Sequence, residues 1–103
     1  MTIVVRITPN DRSNPPGKLA DAELHFTGGE LEGLKLIGFA VWERRPGRGR
    51  NVTFPARQWV VDGEGREFAL LRPIADGRAM GHVQDLVLDA YEEYVSGRLA
   101  RSS

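Results

Sequence analysis

The chain has no cysteine and only two histidines among its 103 residues. Without cysteine there is no disulfide bond, no thiolate metal ligand and no cysteine nucleophile. The histidines, His25 and His82, do not have the short spacing by which a helix binds zinc. No serine stands in the G-x-S-x-G sequence that exposes a hydrolase nucleophile. These absences favour a protein that is not an enzyme and that holds no metal or small-molecule cofactor.

Long apolar runs and an excess of one charge are also missing. No segment approaches the ~18 apolar residues that a membrane-spanning helix needs, and the first ten residues, MTIVVRITPN, lack the pattern of a signal peptide. The net charge is zero, from 14 basic and 14 acidic residues. Nucleic acid can therefore be attracted only by a local concentration of positive charge. We expect a cytoplasmic protein that does not contact a membrane.

The hydrophobic pattern predicts an α+β fold. Alternating apolar residues, typical of strands, occur at 3–8, 18–26, 34–42, 51–54 and 66–74, with Pro55 ending regular pairing of the fourth segment and residues 58–61 expected to continue it. From Val83 to Val95 the apolar spacing becomes helical. Strands followed by one helix predict a small antiparallel sheet of about five strands with a C-terminal amphipathic helix. We expect one domain over residues 1–97 and a frayed tail over 98–103.

Local sequence features predict where these elements end. Asp-Gly-Glu-Gly at 62–65 is typical of a hairpin turn. Pro73 is expected to close the last strand, Asp76 to cap the helix and Gly97 to end it. In the segment 34–42, alternation places Ile37, Phe39 and Val41 on one face and Leu36, Ala40 and Trp42 on the other. Apolar residues on both faces indicate a central strand, or a strand used in a subunit contact.

The basic residues are almost all arginine, with 12 Arg and 2 Lys. Five arginines lie within 14 residues that contain no acid: Arg44, Arg45, Arg48, Arg50 and Arg57. Guanidinium groups make bidentate contacts with phosphates, so this cluster can bind a polyanion. It can equally be a solvated hairpin loop that protects a sheet edge from aggregation. The predicted helix carries the opposite charge on its polar face, at Asp85, Asp89, Glu92 and Glu93.

The segments FPARQ, REFALLRPI and VQDLVLDAY occur in this order along the chain. They resemble three motifs of the stage V sporulation protein G (SpoVG) family. Its members have a strand ending in a Met-Pro-Ser-Lys-Arg-like sequence, a strand closing in His-Pro-Ile and a helix reading Ile-Gln-Asp-x-Val-x-x-x-Tyr. The resemblance extends over roughly residues 3–95, with Ala56-Arg57-Gln58 in place of Ser-Lys-Arg and Arg72 in place of the histidine.

The resemblance implies a non-enzymatic homodimer that binds DNA or RNA with weak or no sequence specificity. It further implies a regulatory role in gene expression or septation. Arg57 matches the basic residue near the end of the first family motif, and Arg66 precedes Glu67-Phe68 in the strand of the second. Both are candidate phosphate contacts. The alternative is a protein–protein interaction module, in which Trp42, Trp59 and the arginine cluster dock an acidic partner, since Trp and Arg often dominate interfaces.

Overall fold

The computed structural model describes residues 2–10, 16–44 and 49–102, with the side chains described as far as residue 97. These residues form six strands in two antiparallel sheets and one helix, which confirms the predicted α+β class. The elements are β1 (Ile3–Pro9), β2 (Lys18–Phe26), β3 (Lys35–Glu43), β4 (Arg50–Thr53), β5 (Ala56–Val61), β6 (Glu64–Ala69) and α1 (Arg78–Ser102). The first sheet has the order β1-β2-β3-β4 and the second consists of β5 and β6.

The core lies between the four-stranded sheet and α1. In β2 the alternating residues Ala20, Ala22 and Leu24 are buried, as the sequence pattern predicts. Val87 of α1 is completely buried in the same cluster. Burial of these apolar groups is the main source of stability for the four-stranded sheet and the helix.

A β-bulge changes the predicted faces of β3. Two residues of β3, Ile37 and Gly38, lie opposite the single residue Glu23 of β2, between the pairs Leu24–Leu36 and Ala22–Phe39. The extra residue shifts the alternation, so that Leu36 packs with Phe39 against the core while Ile37 is exposed. The prediction that Ile37 and Phe39 share a face was therefore wrong, because a bulge breaks the period of two.

Helix α1 begins at a side-chain cap. The backbone N–H of Arg78 donates a hydrogen bond of 2.9 Å to Oδ1 of Asp76, as expected for a capping aspartate. Val83 and Tyr91 of the predicted stripe pack against the core beside Val87, and Leu88, which the predicted stripe did not include, packs there as well. The helix continues through Gly97 to Ser102, so the predicted end at Gly97 was wrong. Glycine lowers helix stability by about 1 kcal/mol, which a helix already held by its packing can tolerate.

The second sheet is a hairpin of β5 and β6 joined by a two-residue turn. Asp62 and Gly63 both have positive φ, of 52° and 78°, as a type I′ turn requires. Strand β6 ends at Ala69 and does not continue to Pro73, contrary to the sequence-based expectation. The hairpin residues after Ala56 are exposed, because β5 and β6 pair with each other and not with the larger sheet.

Candidate nucleic-acid interface

The arginine-rich stretch connects the antiparallel strands β3 and β4. At its base, the backbone N–H of Arg44 donates a hydrogen bond of 3.1 Å to the carbonyl oxygen of Gly49. Arg44 is exposed, while Arg45 and Arg48 lie outside the described residues. The stretch is thus a hairpin connection, a position that suits both a phosphate-binding loop and a solvated loop.

Arg50 is the first residue of β4, and its side chain contacts α1. Its guanidinium lies 4.9 Å from the ring centroid of Tyr91, and its Nη1 lies 3.7 Å from Oε1 of Glu92. Both contacts join β4 to α1, and the carboxylate partly neutralises the arginine. Arg50 is therefore less available to a polyanion than an arginine that has no acidic neighbour on another element.

The structure separates Arg57 from Arg44 and Arg50 of the predicted cluster, because Arg57 belongs with Arg66 to the β5–β6 hairpin. Arg57 pairs across the hairpin with Phe68, and Trp59 pairs with Arg66. Side chains of cross-strand pairs project from the same face, and so do residues two apart along a strand. One face of the hairpin therefore carries arginine and aromatic residues in alternation. We call this face, together with Arg72, the arginine–aromatic face.

The two rings on this face stack on each other. The ring centroids of Trp59 and Phe68 are 5.6 Å apart, with 25° between the ring planes. Arg57 lies 5.7 Å from the Trp59 centroid and Arg72 lies 3.6 Å from the Phe68 centroid. Nε of Arg72 donates a hydrogen bond of 2.8 Å to the carbonyl of Ala69, which holds its guanidinium over the ring. Cation–π attraction favours these contacts even at exposed positions.

The arginine–aromatic face is open to solvent and mainly basic. Trp59 and Phe68 are 38% and 43% exposed, although large aromatic side chains are usually well buried. Glu64, near the turn, is the acidic residue on the same face of the two strands, and its Oε2 lies 3.8 Å from Nη2 of Arg66. At 77% and 61% side-chain exposure this ion pair is weak. Three guanidinium groups thus surround two partly exposed rings.

A separate polar cluster lies on the outer face of the larger sheet. Nε2 of His25 donates a hydrogen bond of 2.8 Å to Oε1 of Glu23, and Nζ of Lys35 lies 3.5 Å from the same oxygen. The hydrogen bond from His25, aided by the charge of Lys35, lowers the pKa of Glu23 from its usual 4.5. Within residues 2–10, 16–44 and 49–102, no three His, Asp or Glu side chains are grouped so as to hold a metal ion.

Sequence reasoning did not assign Phe68 or Arg72 to a site. The register that reveals Phe68 was nevertheless accessible, because a two-residue Asp-Gly turn determines which residues lie opposite each other. Starting from the pair Val61–Glu64, the antiparallel register places Trp59 opposite Arg66 and Arg57 opposite Phe68. Arg72 lies beyond the end of β6, so only the tertiary structure brings it onto Phe68.

No known protein-family model, curated protein or solved structure matches this chain. The resemblance to the SpoVG family therefore stays a prediction from short motifs. Across the part of the chain that the structure describes, no helix has the length and apolar character needed to cross a membrane. The fold and the site define a class: a small α+β protein with an exposed arginine–aromatic hairpin.

Proposed function

We propose that this protein is a small, non-enzymatic regulatory protein of the cytoplasm that binds DNA or RNA and acts as a homodimer. The proposal agrees with the SpoVG family that its motifs resemble, and it includes a role in gene regulation or septation. Binding is expected to show weak or no sequence specificity, because arginine contacts to phosphates carry no base information.

The arginine–aromatic face is the observation that carries the proposal. Arg57, Arg66 and Arg72 surround two partly exposed rings on this face, within a molecule whose net charge is zero. Such local segregation supplies the positive surface that a neutral protein needs to attract phosphates. The rings offer contacts to bases in addition.

The exposed apolar side chains support the homodimer. Val60 projects from the other face of the hairpin than Trp59 and is 73% exposed. Leu70 and Ile74, which follow β6, are exposed as well. A lone two-stranded hairpin is marginally stable in water and needs another surface to pack on. In our proposal a second copy supplies that surface, at residues outside the arginine–aromatic face.

Sedimentation equilibrium at a protein concentration of about tens of micromolar, where a dimer of moderate affinity forms, tests the homodimer. We expect the wild type to be dimeric and the double variant Val60→Thr/Ile74→Thr to shift towards monomer. Val4→Thr, which changes an exposed valine of β1, is the matched control and should leave the dimer intact. A wild type that stays monomeric contradicts the homodimer.

Fluorescence anisotropy with labelled single-stranded and duplex oligonucleotides, at low and moderate salt, tests nucleic-acid binding. We expect salt-sensitive binding that the double variant Arg57→Gln/Arg66→Gln weakens strongly. The double variant Arg6→Gln/Arg78→Gln is the matched control, because it removes the same charge from exposed positions on β1 and α1. Equal losses in both variants would show that net charge, and not the hairpin, governs binding.

Absence of binding at low salt would reject the proposed function. The alternative of an acidic protein partner then becomes the better explanation of the exposed arginines. That alternative is weakened in its original form, because Trp42 lies in the larger sheet, where its Nε1 donates a 2.8 Å hydrogen bond to Oγ1 of Thr53, while Trp59 lies on the hairpin.

A further inference from the structure

We infer that the arginine–aromatic face binds single-stranded nucleic acid in preference to duplex, with unpaired bases stacking beside Trp59 and Phe68. This inference rests on the proposed function and names the form of nucleic acid that the hairpin selects. The shared chemistry is a flexible phosphodiester chain with unstacked bases, which single-stranded DNA and single-stranded RNA both provide.

The arrangement of rings and cations on the hairpin is the first argument. Trp59 and Phe68 form a small stacked platform, with their planes 25° apart, and guanidinium planes lie near each ring. Unpaired bases stack on aromatic rings and on arginine planes alike. The arginines on the same face can contact the phosphates of a strand whose base stacks there.

The exposed rings are the second argument, because a duplex has little use for them. In a duplex the bases already stack on each other and present only their edges in the grooves. A two-stranded ribbon can enter the major groove, but it reads base edges with polar side chains. On this hairpin two positions of the basic face are instead large rings, and an unpaired base can stack on the exposed part of Trp59 or on the Arg72 guanidinium that covers Phe68.

The position of the hairpin is the third argument. The described chain has a radius of gyration of 15.4 Å, whereas a compact chain of this length has about 13 Å. The 25-residue helix and the hairpin both extend the molecule, and the hairpin pairs only with itself, outside the larger sheet. A protruding hairpin is accessible to a flexible single strand from several directions.

The first test compares four probes at one low salt concentration: oligothymidylate and oligouridylate of about 12 nucleotides, and the duplex of each with its complement. We expect both single strands to bind more tightly than either duplex. Trp59→Leu and Phe68→Leu, which keep an apolar side chain but remove the ring, should each weaken single-strand binding roughly five- to hundredfold. Val4→Leu, which changes an exposed apolar side chain of β1 outside the hairpin, is the control and should change binding little.

A spectroscopic readout reports stacking directly. In the Trp42→Phe background Trp59 is the one remaining tryptophan of the chain, so its fluorescence reports on the hairpin. We expect oligothymidylate to quench this emission at saturation and to shift its maximum. In the reverse variant, Trp59→Phe, the emission of Trp42 should stay unchanged when the oligonucleotide binds.

The outcomes separate this inference from the proposed function. If no probe binds, both fail. If Arg57→Gln/Arg66→Gln weakens binding while Trp59→Leu and Phe68→Leu do not, or if duplex binds as tightly, the proposed function stands and the stacking inference is overturned. If the ring variants abolish self-association and leave oligonucleotide binding intact, the face belongs to the second copy and the inference is likewise overturned. A preference between oligothymidylate and oligouridylate assigns the single strand to DNA or RNA.

Discussion

Gly38 is the residue on which the path from the larger sheet to the hairpin depends most clearly. It has φ of +107°, which side chains with a Cβ rarely adopt, and it occupies the bulge of β3. A Cβ at this position would lie 2.9 Å from Cβ of Pro55, closer than such atoms approach in proteins. Pro55 joins β4 to β5, so the absence of a side chain at Gly38 lets the chain leave one sheet and start the next.

We expect Gly38→Ala to lower the free energy of unfolding by about 1–3 kcal/mol, because the new methyl group adds steric contact to an unfavourable φ. Chemical denaturation monitored by circular dichroism measures the loss. Gly81→Ala is the control: its Cβ meets no atom within 4 Å, and alanine favours a helix by about 0.5–1 kcal/mol over glycine. A Gly38→Ala variant as stable as the wild type would show that the bulge relaxes freely.

At Glu23 the structure predicts a shift in titration. The hydrogen bond from His25 is the largest cause of its lowered pKa, so His25→Ala should move the pKa of Glu23 back towards 4.5. A lowered pKa in the folded state adds stability above about pH 4.5, which is lost as the pH falls through the folded pKa. NMR titration of the Glu23 carboxyl carbon in both proteins measures the change. Lys35→Ala removes a weaker interaction that lowers the pKa of Glu23, so we expect a smaller rise of this pKa.

At the scale of the element, the hairpin is locally determined but weakly supported. Its Asp-Gly turn has the φ angles that match the twist of the strands, and its register follows from that turn. Apart from the pairing of β5 with β6, the hairpin gains little stability from the core, because the buried cluster is formed by β2, β3, β4 and α1. The hairpin should therefore lose its structure before the larger sheet does.

We expect Gly63→Val to disorder the hairpin, because valine is strained at φ of 78°, while the midpoint of global unfolding changes little. Amide exchange of β5 and β6, compared with that of β2, measures local opening. Gly65→Val is the matched control on the same hairpin: it has no neighbour within 4 Å and no positive φ, and valine favours strands. A concerted loss of both sheets in Gly63→Val would contradict the independence of the hairpin.

The start of α1 depends on one side chain. Asp76→Ala removes the oxygen that accepts the N–H of Arg78, and we expect a loss of about 1 kcal/mol in the free energy of unfolding. Thermal or urea unfolding measures it. Asp89→Ala, at an exposed position in the middle of the same helix, should cause no such loss, since alanine is the better helix former.

At the scale of the whole molecule, balanced charge is separated into distinct surfaces. The arginine–aromatic face gathers three guanidinium groups, while Asp85, Asp89 and Glu93 are exposed on α1. Arg50 of β4 lies outside the arginine–aromatic face and contacts Tyr91 and Glu92 of α1. In a neutral protein a polyanion is attracted only by such local positive surfaces, so the binding should be moderate and sensitive to salt.

The salt dependence of single-strand binding should report how many arginines contact phosphate groups. With Arg57, Arg66 and Arg72 in contact, the log–log slope of affinity against salt should be about −2, at about −0.7 for each contact. Arg57→Gln should reduce its magnitude by about 0.7. Arg50→Gln should leave it unchanged, because that arginine is directed to α1. A slope near −3.5, as for five contacts, would instead place the loop arginines on the nucleic acid.

Some features of this protein follow from the sequence by itself. The alternation in β1 and β2, the apolar stripe of α1, the Asp76 cap and the Asp62-Gly63 turn depend on residues close together in the chain. Local sterics and periodicity decide such features, so the α+β class was predictable. Only the tertiary structure decided where the period of two breaks at Gly38 and what Arg50 and Arg72, outside the hairpin strands, contact. Both depend on residues distant in sequence: Pro55 faces Gly38, α1 engages Arg50, and the chain after β6 places Arg72 over Phe68.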